Sequence, residues 1–600
     1  MSRSSGRAPG LYALLVGLAL AGEAPPAQSA AEPLAGFPAF AEAARLAWQV
    51  PGVAMAIVRD GEVVLRQGFG ERDRERHLPV TPETLFAIGS ATKAFTTFVV
   101  GTLVDEGKLD WDRPVRGYLP WFRLEDPAAT ELLTPRDLVT HRSGLPRHDL
   151  LWYNNQSLGR RELVERLAHL ESSQSLRSRF QYNNLMYLTA GYLVEEITGA
   201  TWEEEVRRRI FTPLGMAASN FSVAESQRAA DHALPYKEKD GAVARIPFRD
   251  ITTVGPAGSI NSHLDDMARW VELHLAGGRA GDRRLIGAAT LADIHSPHMV
   301  TGESVERPEI SQGAYGLAWF IDAYRGHRRV SHGGNIDGFS ALVTLFPQDG
   351  LGMVVLANLD ASPLPGLLTQ HAADRILGLE PIDWNGEALG RRALGKAAER
   401  EAKGKKESVR RDGTRPAHPL AEYAGRYAHP GYGPLDVTLR DGKLELAYNS
   451  IRAPLEHWHY EIFHAPEGAA DPVFENVKFL FSTDVRGNVA SVSAPFEPQV
   501  KDIVFVRQPD ARLSDPAYLE RLVGEYELAG QTITIALAGS TLTVNIPGQP
   551  QHRLVPGLGG EFTLAEDSVV KLRFEQDPEG RATAALFDQP EGIYRAPRKP

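Results

Sequence analysis

Residues 420–448 (LAEYAGRYAHPGYGPLDVTLRDGKLELAY) are echoed at 519–546 (LERLVGEYELAGQTITIALAGSTLTVNI). In each copy a short helix-like segment runs into Gly-x-Tyr, at Gly425 and Tyr427 and again at Gly524 and Tyr526, and a hairpin follows. Duplicated short alternating strands with Gly and Asp turns predict two small all-β units, barrels or sandwiches, over 416–510 and 511–600. Before them, 393–411 (ALGKAAEREAKGKKESVRR) is rich in Lys, Arg, Glu and Ala and poor in large apolar residues. It reads as the solvated, partly helical centre of a linker over 381–415. At 600 residues the chain is too long for one core, which fits this division.

The upstream part has a different character. An expected hairpin pairs 53–59 (VAMAIVR) with 62–67 (EVVLRQ) across Asp60-Gly61. Helical spacing marks 90–106, ended by Gly107, then 185–197, 202–210 and part of 258–275. Strands return at 328–331, leading into His332-Gly333-Gly334, and at 339–346 and 353–359. Antiparallel strands from both ends with helices between predict one α+β domain over 35–380, its sheet joining its termini. At the start, Arg3 and Arg7 precede a short apolar run at 11–21, and Ser29-Ala30-Ala31 offers small residues for cleavage. We therefore expect a signal peptide over 1–31 and an extracytoplasmic protein, periplasmic or secreted, with no stable membrane insertion afterwards.

Composition narrows the chemistry. The chain has no cysteine, so thiolate nucleophiles, disulfides and Cys-based metal sites are excluded. A net charge of −11 argues against nucleic acid as a partner. No cofactor fingerprint is present. His141 and His148 near Asp149 invite a metal reading, but two loop histidines are more often structural, and no metal is expected.

Three motifs carry the functional reading. Ser90-Ala91-Thr92-Lys93 places a hydroxyl and an amine on one face of a helix N-terminus. A partly desolvated lysine can lose its proton and accept one from serine. A second match, Ser568 to Lys571, falls in an alternating β segment, where such positions point apart. Tyr182-Asn183-Asn184 precedes a strong helix and offers a phenol as base and an amide that orients lysine and substrate. A decoy at Tyr153-Asn154-Asn155 has no such context and is expected in a loop lining the cleft. His332-Gly333-Gly334-Asn335 ends a strand, where glycines allow close approach and the Asn335 N–H could join that of Ser90 in an oxyanion hole.

Together these motifs resemble the class C β-lactamase-like group of penicillin-recognising serine enzymes, the CubicO group. The resemblance runs from about 37 to 379 and includes 84–90 (TLFAIGS), 138–146 (LVTHRSGLP), 210–216 (IFTPLGM) and 256–259 (PAGS). It implies that Ser90 is acylated, that Lys93 and Tyr182 share proton transfer, and that Asn184 positions substrate and Lys93. His332 and Gly333 stand where many members carry Lys and Thr of Lys-Thr-Gly. A largely neutral His holds a carboxylate less well, which turns expectation from β-lactams towards small amides, esters or D-residue peptides. A mechanism with His332 as the base for Ser90 ranks second. The C-terminal pair resembles lipocalin-like domains appended to some members, including D-amino-acid-tolerant peptidases. These would cap the cleft or mediate a homo-oligomer. The alternative function is a penicillin-binding or cell-wall-peptide-sensing protein with little turnover, or a β-lactamase.

Overall fold

The computed structural model describes residues 32–302, 307–405, 410–468, 471–566 and 569–600. The expected signal peptide over 1–31 and Ser568 of the second Ser-x-x-Lys match lie outside the described residues. Among the described residues no helix is long and apolar enough to cross a membrane.

The first domain is built from α1 (Phe37–Ala47), β1 (Gly52–Arg59), β2 (Glu62–Asp73), α2 (Thr92–Asp105), α3 (Asn184–Thr198), α4 (Leu264–Leu275), β3 (His327–Ile336), β4 (Phe339–Phe346), β5 (Leu351–Ala357) and α5 (Leu364–Ile376), with shorter elements between. The strands form a nine-stranded sheet in which β3, β4, β5, β1 and β2 are successive antiparallel neighbours. β1 therefore pairs with both its hairpin partner and β5, so the sheet does join the two ends of the domain.

The sequence of β1, GVAMAIVR, explains its central place. Val53, Met55 and Ile57 share one core with α1 and α5, while Ala54, Ala56 and Val58 share another with Phe95, Val99 and Trp270 of α2 and α4. A strand apolar at every position is suited to burial on both faces. The β1–β2 turn puts Asp60 and Gly61 at φ 52° and 84°, the hand that two-residue hairpins need.

Several elements differ from their sequence expectations. The β2 strand runs to Asp73. His332-Gly333-Gly334 does not end a strand: β3 continues to Ile336, and the turn is Asp337-Gly338. The helix expected over 202–210 is α-helical only at Trp202–Val206 and then widens into a π turn, Arg207–Phe211. Pro213 has no N–H and crowds the preceding turn, which accounts for the widening.

The charged stretch holds a long helix, α6 (Trp384–Lys405). Its start is anchored by Trp384, buried, whose Nε1 donates to Asp374 Oδ2 at 2.7 Å. Arg392 and Lys396 both pair with Glu238.

Two all-β units follow. Eight strands from Gly425–His429 to Ile503–Arg507 run in sequential antiparallel order and close into a barrel through Tyr427–Arg507 pairing. Eight more, from Gly524–Leu528 to Gly592–Pro597, form a sheet that a Tyr526–Arg598 bridge brings nearly to closure.

Candidate active site

Ser90 sits on a 3₁₀ turn, Gly89–Ala91, that leads into α2, so the α-helix proper starts two residues after it. One turn on, Lys93 is fully buried. Its Nζ lies 3.0 Å from Ser90 Oγ, 2.8 Å from Asn184 Oδ1 and 2.8 Å from the Ala257 carbonyl oxygen. The last two partners can only accept hydrogen bonds; the hydroxyl can also donate. As an ammonium Lys93 donates to all three; once neutral, its two N–H bonds keep Asn184 and Ala257, and its lone pair is left to accept the Ser90 proton. Burial pulls the Lys93 pKa well below its usual value, the Arg147 charge adds to the lowering, and Asp149 opposes it.

α3 supplies the next groups. The adjacent asparagines divide their tasks. Asn183 caps the helix by accepting from the Met186 N–H, and its amide donates to the Leu145 and Pro146 carbonyls. Asn184 faces Lys93 with Oδ1 and donates from Nδ2 to Asp149 Oδ1 at 3.1 Å. Because a carboxylate can only accept, Asp149 fixes which way that amide points. Tyr182 packs among Lys93, Arg147 and an aromatic ring: Lys93 Nζ is 4.8 Å and the Arg147 guanidinium 5.2 Å from its ring centre, and the His141 ring lies at 4.2 Å. Burial raises the Tyr182 pKa, and a hydrogen bond with Ser90 opposes that rise. Tyr182 is therefore a phenol, not a standing phenolate.

β3 passes directly behind the Ser90 turn. A Cβ on Gly334 would lie 1.8 Å from the Ile88 carbonyl oxygen and 3.0 Å from the Ser90 nitrogen, so only glycine fits. A Cβ on Gly333 would meet nothing closer than 3.5 Å, so Gly333 is not sterically required. Ile336 pairs with Phe339 across the two-residue turn, and Asn335 with Ser340. Hydrogen-bonded and non-bonded pairs alternate, so the Asn335 N–H turns away from β4 towards the Ser90 side.

His332 turns into an aromatic cluster. Its Nε2 is 3.0 Å from the Tyr315 hydroxyl and its Nδ1 2.6 Å from the Gly333 carbonyl oxygen. Burial, with the Lys93 charge, pushes its pKa down to about 3. The carbonyl fixes the proton on Nδ1, and Tyr315 occupies the accepting nitrogen. His332 is neutral and does not offer that nitrogen to Ser90. His141 accepts the Asn183 N–H at Nδ1, and His148 Nδ1 meets the Tyr432 hydroxyl at 2.7 Å. Both are thus engaged as structural residues.

Ser90 opens into a cavity of about 120 Å³ lined in part by Arg147, Trp152, Tyr153, Asn184, Arg249 and Asp337. Tyr153 is accordingly a cleft residue, its hydroxyl donating to Asp337 Oδ1 at 3.2 Å. Arg147 belongs to no motif of the sequence, and Asp149 entered it only beside His141 and His148. Arg147 Nε donates to Asp149 Oδ2 at 2.6 Å, and Trp152 Nε1 to Asp149 Oδ1 at 3.0 Å. The available signal was an Arg-His-Asp triplet directly after 138–146, already part of the resemblance. Arg249, which pairs with Asp337 Oδ2 at 3.2 Å, carried no sequence signal. The other Ser-x-x-Lys is spent elsewhere, since Lys571 pairs with Glu561 at 2.7 Å.

A serine held by a buried lysine and a tyrosine, beside strand β3 of a sheet flanked by helices, defines a serine hydrolase of the β-lactamase and penicillin-binding-protein type. The profile of the family described as Beta-lactamase matches residues 40–375, and one described as a domain of unknown function, DUF3471, matches 409–507. The unguisins hydrolase ungD′ of Aspergillus campestris is 33% identical over 420 residues, 67% of this chain and 77% of that protein. The unguisins hydrolase ungD of Aspergillus violaceofuscus is 30% identical over 429 residues, 66% of this chain and 75% of that protein. In fold, the octameric penicillin-binding protein homologue from Pyrococcus abyssi matches with a TM-score of 0.53 at 22% identity, covering 79% of this chain and 99% of that one. The hydrolase EstCE1 matches at 0.51 and 20%, covering 58% and 100%. The chain belongs to the β-lactamase family and is a serine hydrolase.

Proposed function

We propose that this protein is an exported serine hydrolase in which Ser90 forms an acyl-enzyme. The observation that carries this is Lys93: a fully buried amine, its pKa drawn well below the usual value by burial, 3.0 Å from the Ser90 hydroxyl. Ser90 Oγ attacks the substrate carbonyl as its proton passes to Lys93 Nζ. The N–H groups of Ser90 and Asn335 stabilise the oxyanion. Tyr182, a phenol beside Ser90, relays the proton to the leaving group, and water then cleaves the acyl-enzyme with the same groups in reverse.

Small amides, esters or D-residue peptides are the substrates we favour. The relatives named unguisins hydrolases support hydrolysis outside β-lactam chemistry. The neutral His332 argues in the same direction, since it stands where a lysine would hold a carboxylate. We read 35–380 as the hydrolase domain of the CubicO group, 381–415 as linker, and 416–510 and 511–600 as lipocalin-like domains. The sequential up-and-down strand order supports that last assignment.

Intact-protein mass after treatment with a fluorophosphonate tests the reading. Wild type should gain one adduct and Ser90→Ala none; no gain in wild type, or a gain in both, would overturn it. Lys93→Met should slow labelling by about 10²–10⁴-fold. The base must be neutral, so labelling should fall as pH drops through the depressed Lys93 pKa.

A further inference from the structure

The first β-barrel does not hang beside the hydrolase domain; it grips the loop that lines the cavity. The turn after its third strand, Lys443–Tyr448, inserts beneath 150–155. Asn449 Nδ2 donates to the carbonyls of Leu150 at 3.2 Å and Tyr153 at 3.0 Å, and Asn449 Oδ1 accepts from Asn155 Nδ2 at 3.1 Å. The Tyr448 hydroxyl donates to the same Leu150 carbonyl at 3.0 Å, and the Ser450 N–H to the Asn154 carbonyl at 3.1 Å. A second barrel segment supplies Glu497, whose Oε2 accepts the His148 N–H at 2.8 Å.

The loop needs this support. His148 and Asn154 hold φ of 47° and 56°, left-handed conformations that a side chain other than glycine adopts at a cost. Such conformations persist where the surroundings over-determine them. The barrel bonds to the backbone of both residues. Asp471 extends the grip: its Oδ2 accepts from Asn154 Nδ2 at 3.1 Å and lies 3.6 Å from Arg249, which lines the same cavity.

What the loop carries gives the grip its consequence. It bears Arg147 and Asp149 as well as Trp152 and Tyr153. Asp149 fixes the Asn184 amide, and Asn184 holds Lys93. We propose that the first barrel is a positioning element of the active site, with Asn449 as the residue that sets the 147–155 loop, and through it Asn184 and Lys93, against Ser90. This rests on the reading of Ser90 as the acylated residue.

The test uses the full chain. Asn449 itself sits at φ 50°, so Asn449→Gly keeps the turn and removes only the amide. Glu497→Ala removes the second grip. Fluorophosphonate labelling rate is measured against pH, with melting temperature alongside. Misplacing catalytic groups by about 1 Å can cost on the order of 100-fold, so we expect labelling at least about tenfold slower in Asn449→Gly. The acid limb is the discriminating signal. Lys93 faces Arg147, Asp149, Tyr182, Tyr187, His141 and His332. Loosening the loop hydrates the amine and withdraws Arg147, the larger of the loop's two charge effects. Both changes raise the Lys93 pKa, so the limb should move to higher pH. A purely structural contact would lower the melting temperature without moving that limb. Wild-type rates and an unmoved limb in both folded variants would overturn the proposal. Absence of labelling in wild type would instead remove the Ser90 reading beneath it.

Discussion

The two barrels share one closing device and differ in almost everything else. In the first, the Tyr427 hydroxyl donates to the Tyr423 carbonyl at 2.8 Å, and Arg507 donates at 2.7 Å to the carbonyls of Glu422 and Ala424. In the second, the Tyr526 hydroxyl donates to the Leu522 carbonyl at 2.6 Å, and Arg598 reaches the carbonyls of Arg521 and Val523. Each Gly-x-Tyr repeat is thus half of a clasp, with an arginine at the end of the last strand as the other half. The cores diverge. The first is dominated by aromatic residues such as Tyr432, Tyr448, Phe496 and Phe505, and is continuous with the hydrolase core. The second is mainly aliphatic and forms a cluster of its own. The two units share what closes a barrel, and only the first packs against the loop that lines the Ser90 cavity.

The largest expected difference comes from deleting a buried ring in each. Tyr448→Ala and Phe587→Ala both empty a site about 1% exposed, and each should cost its barrel about 3–5 kcal/mol. Only Tyr448→Ala should also slow fluorophosphonate labelling of Ser90, because Tyr448 supports Leu150. Equal slowing by Phe587→Ala would break the comparison.

The clasps come next. Charged hydrogen bonds contribute about 1.5–3 kcal/mol each, so Arg507→Ala and Arg598→Ala should lower stability by similar amounts. Their local effects should differ. The first barrel keeps strand pairing at its seam, whereas the second has a single bridge. Amide exchange should therefore rise more in Gly524–Leu528 after Arg598→Ala than in Gly425–His429 after Arg507→Ala.

A smaller effect should appear with pH, and only at the first barrel. Burial lowers the His148 pKa, against the opposing influence of Glu171, Glu497 and Asp149. The undocked histidine takes up its proton first as pH falls. Docking should hold in full above the ordinary histidine range, about 6.5, and weaken below it. Trp152 fluorescence followed against pH should report the loosening, and His148→Gln should flatten the response.

How much of this was legible in the chain follows from the range of the interactions. Ser90 and Lys93 are one helical turn apart, so their meeting is a local event that spacing reveals. The β1 strand and its hairpin were legible for the same reason, down to the Asp60-Gly61 turn. His332 was found, but its neutrality was overdetermined by Tyr315 and by burial, which no local pattern displays. The repeat announced two β units through Gly425/Tyr427 and Gly524/Tyr526. The arginines that complete each clasp lie far from those tyrosines in sequence, Tyr427 to Arg507 and Tyr526 to Arg598, so no local pattern links them. Asn449 belongs to an ordinary-looking turn. Nothing near it in sequence shows that it meets Leu150, 299 residues earlier.

Arg486 offers the finest distinction between the copies. It reaches from the first barrel to the second, pairing with Asp588 and lying 3.6 Å from Glu561. Its side chain is 35% exposed, so water and salt screen the attraction, and such pairs contribute about 0–1 kcal/mol. Arg486→Ala should therefore barely change the melting temperature. It should, however, increase the freedom of the second barrel, read as a larger radius of gyration in solution scattering. Labelling of Ser90 should stay at the wild-type rate, because the grip on 147–155 comes from Asn449 and Glu497, away from this seam. A slowed labelling rate in Arg486→Ala would mean that the second barrel braces the first, and the division of labour between the copies would have to be redrawn.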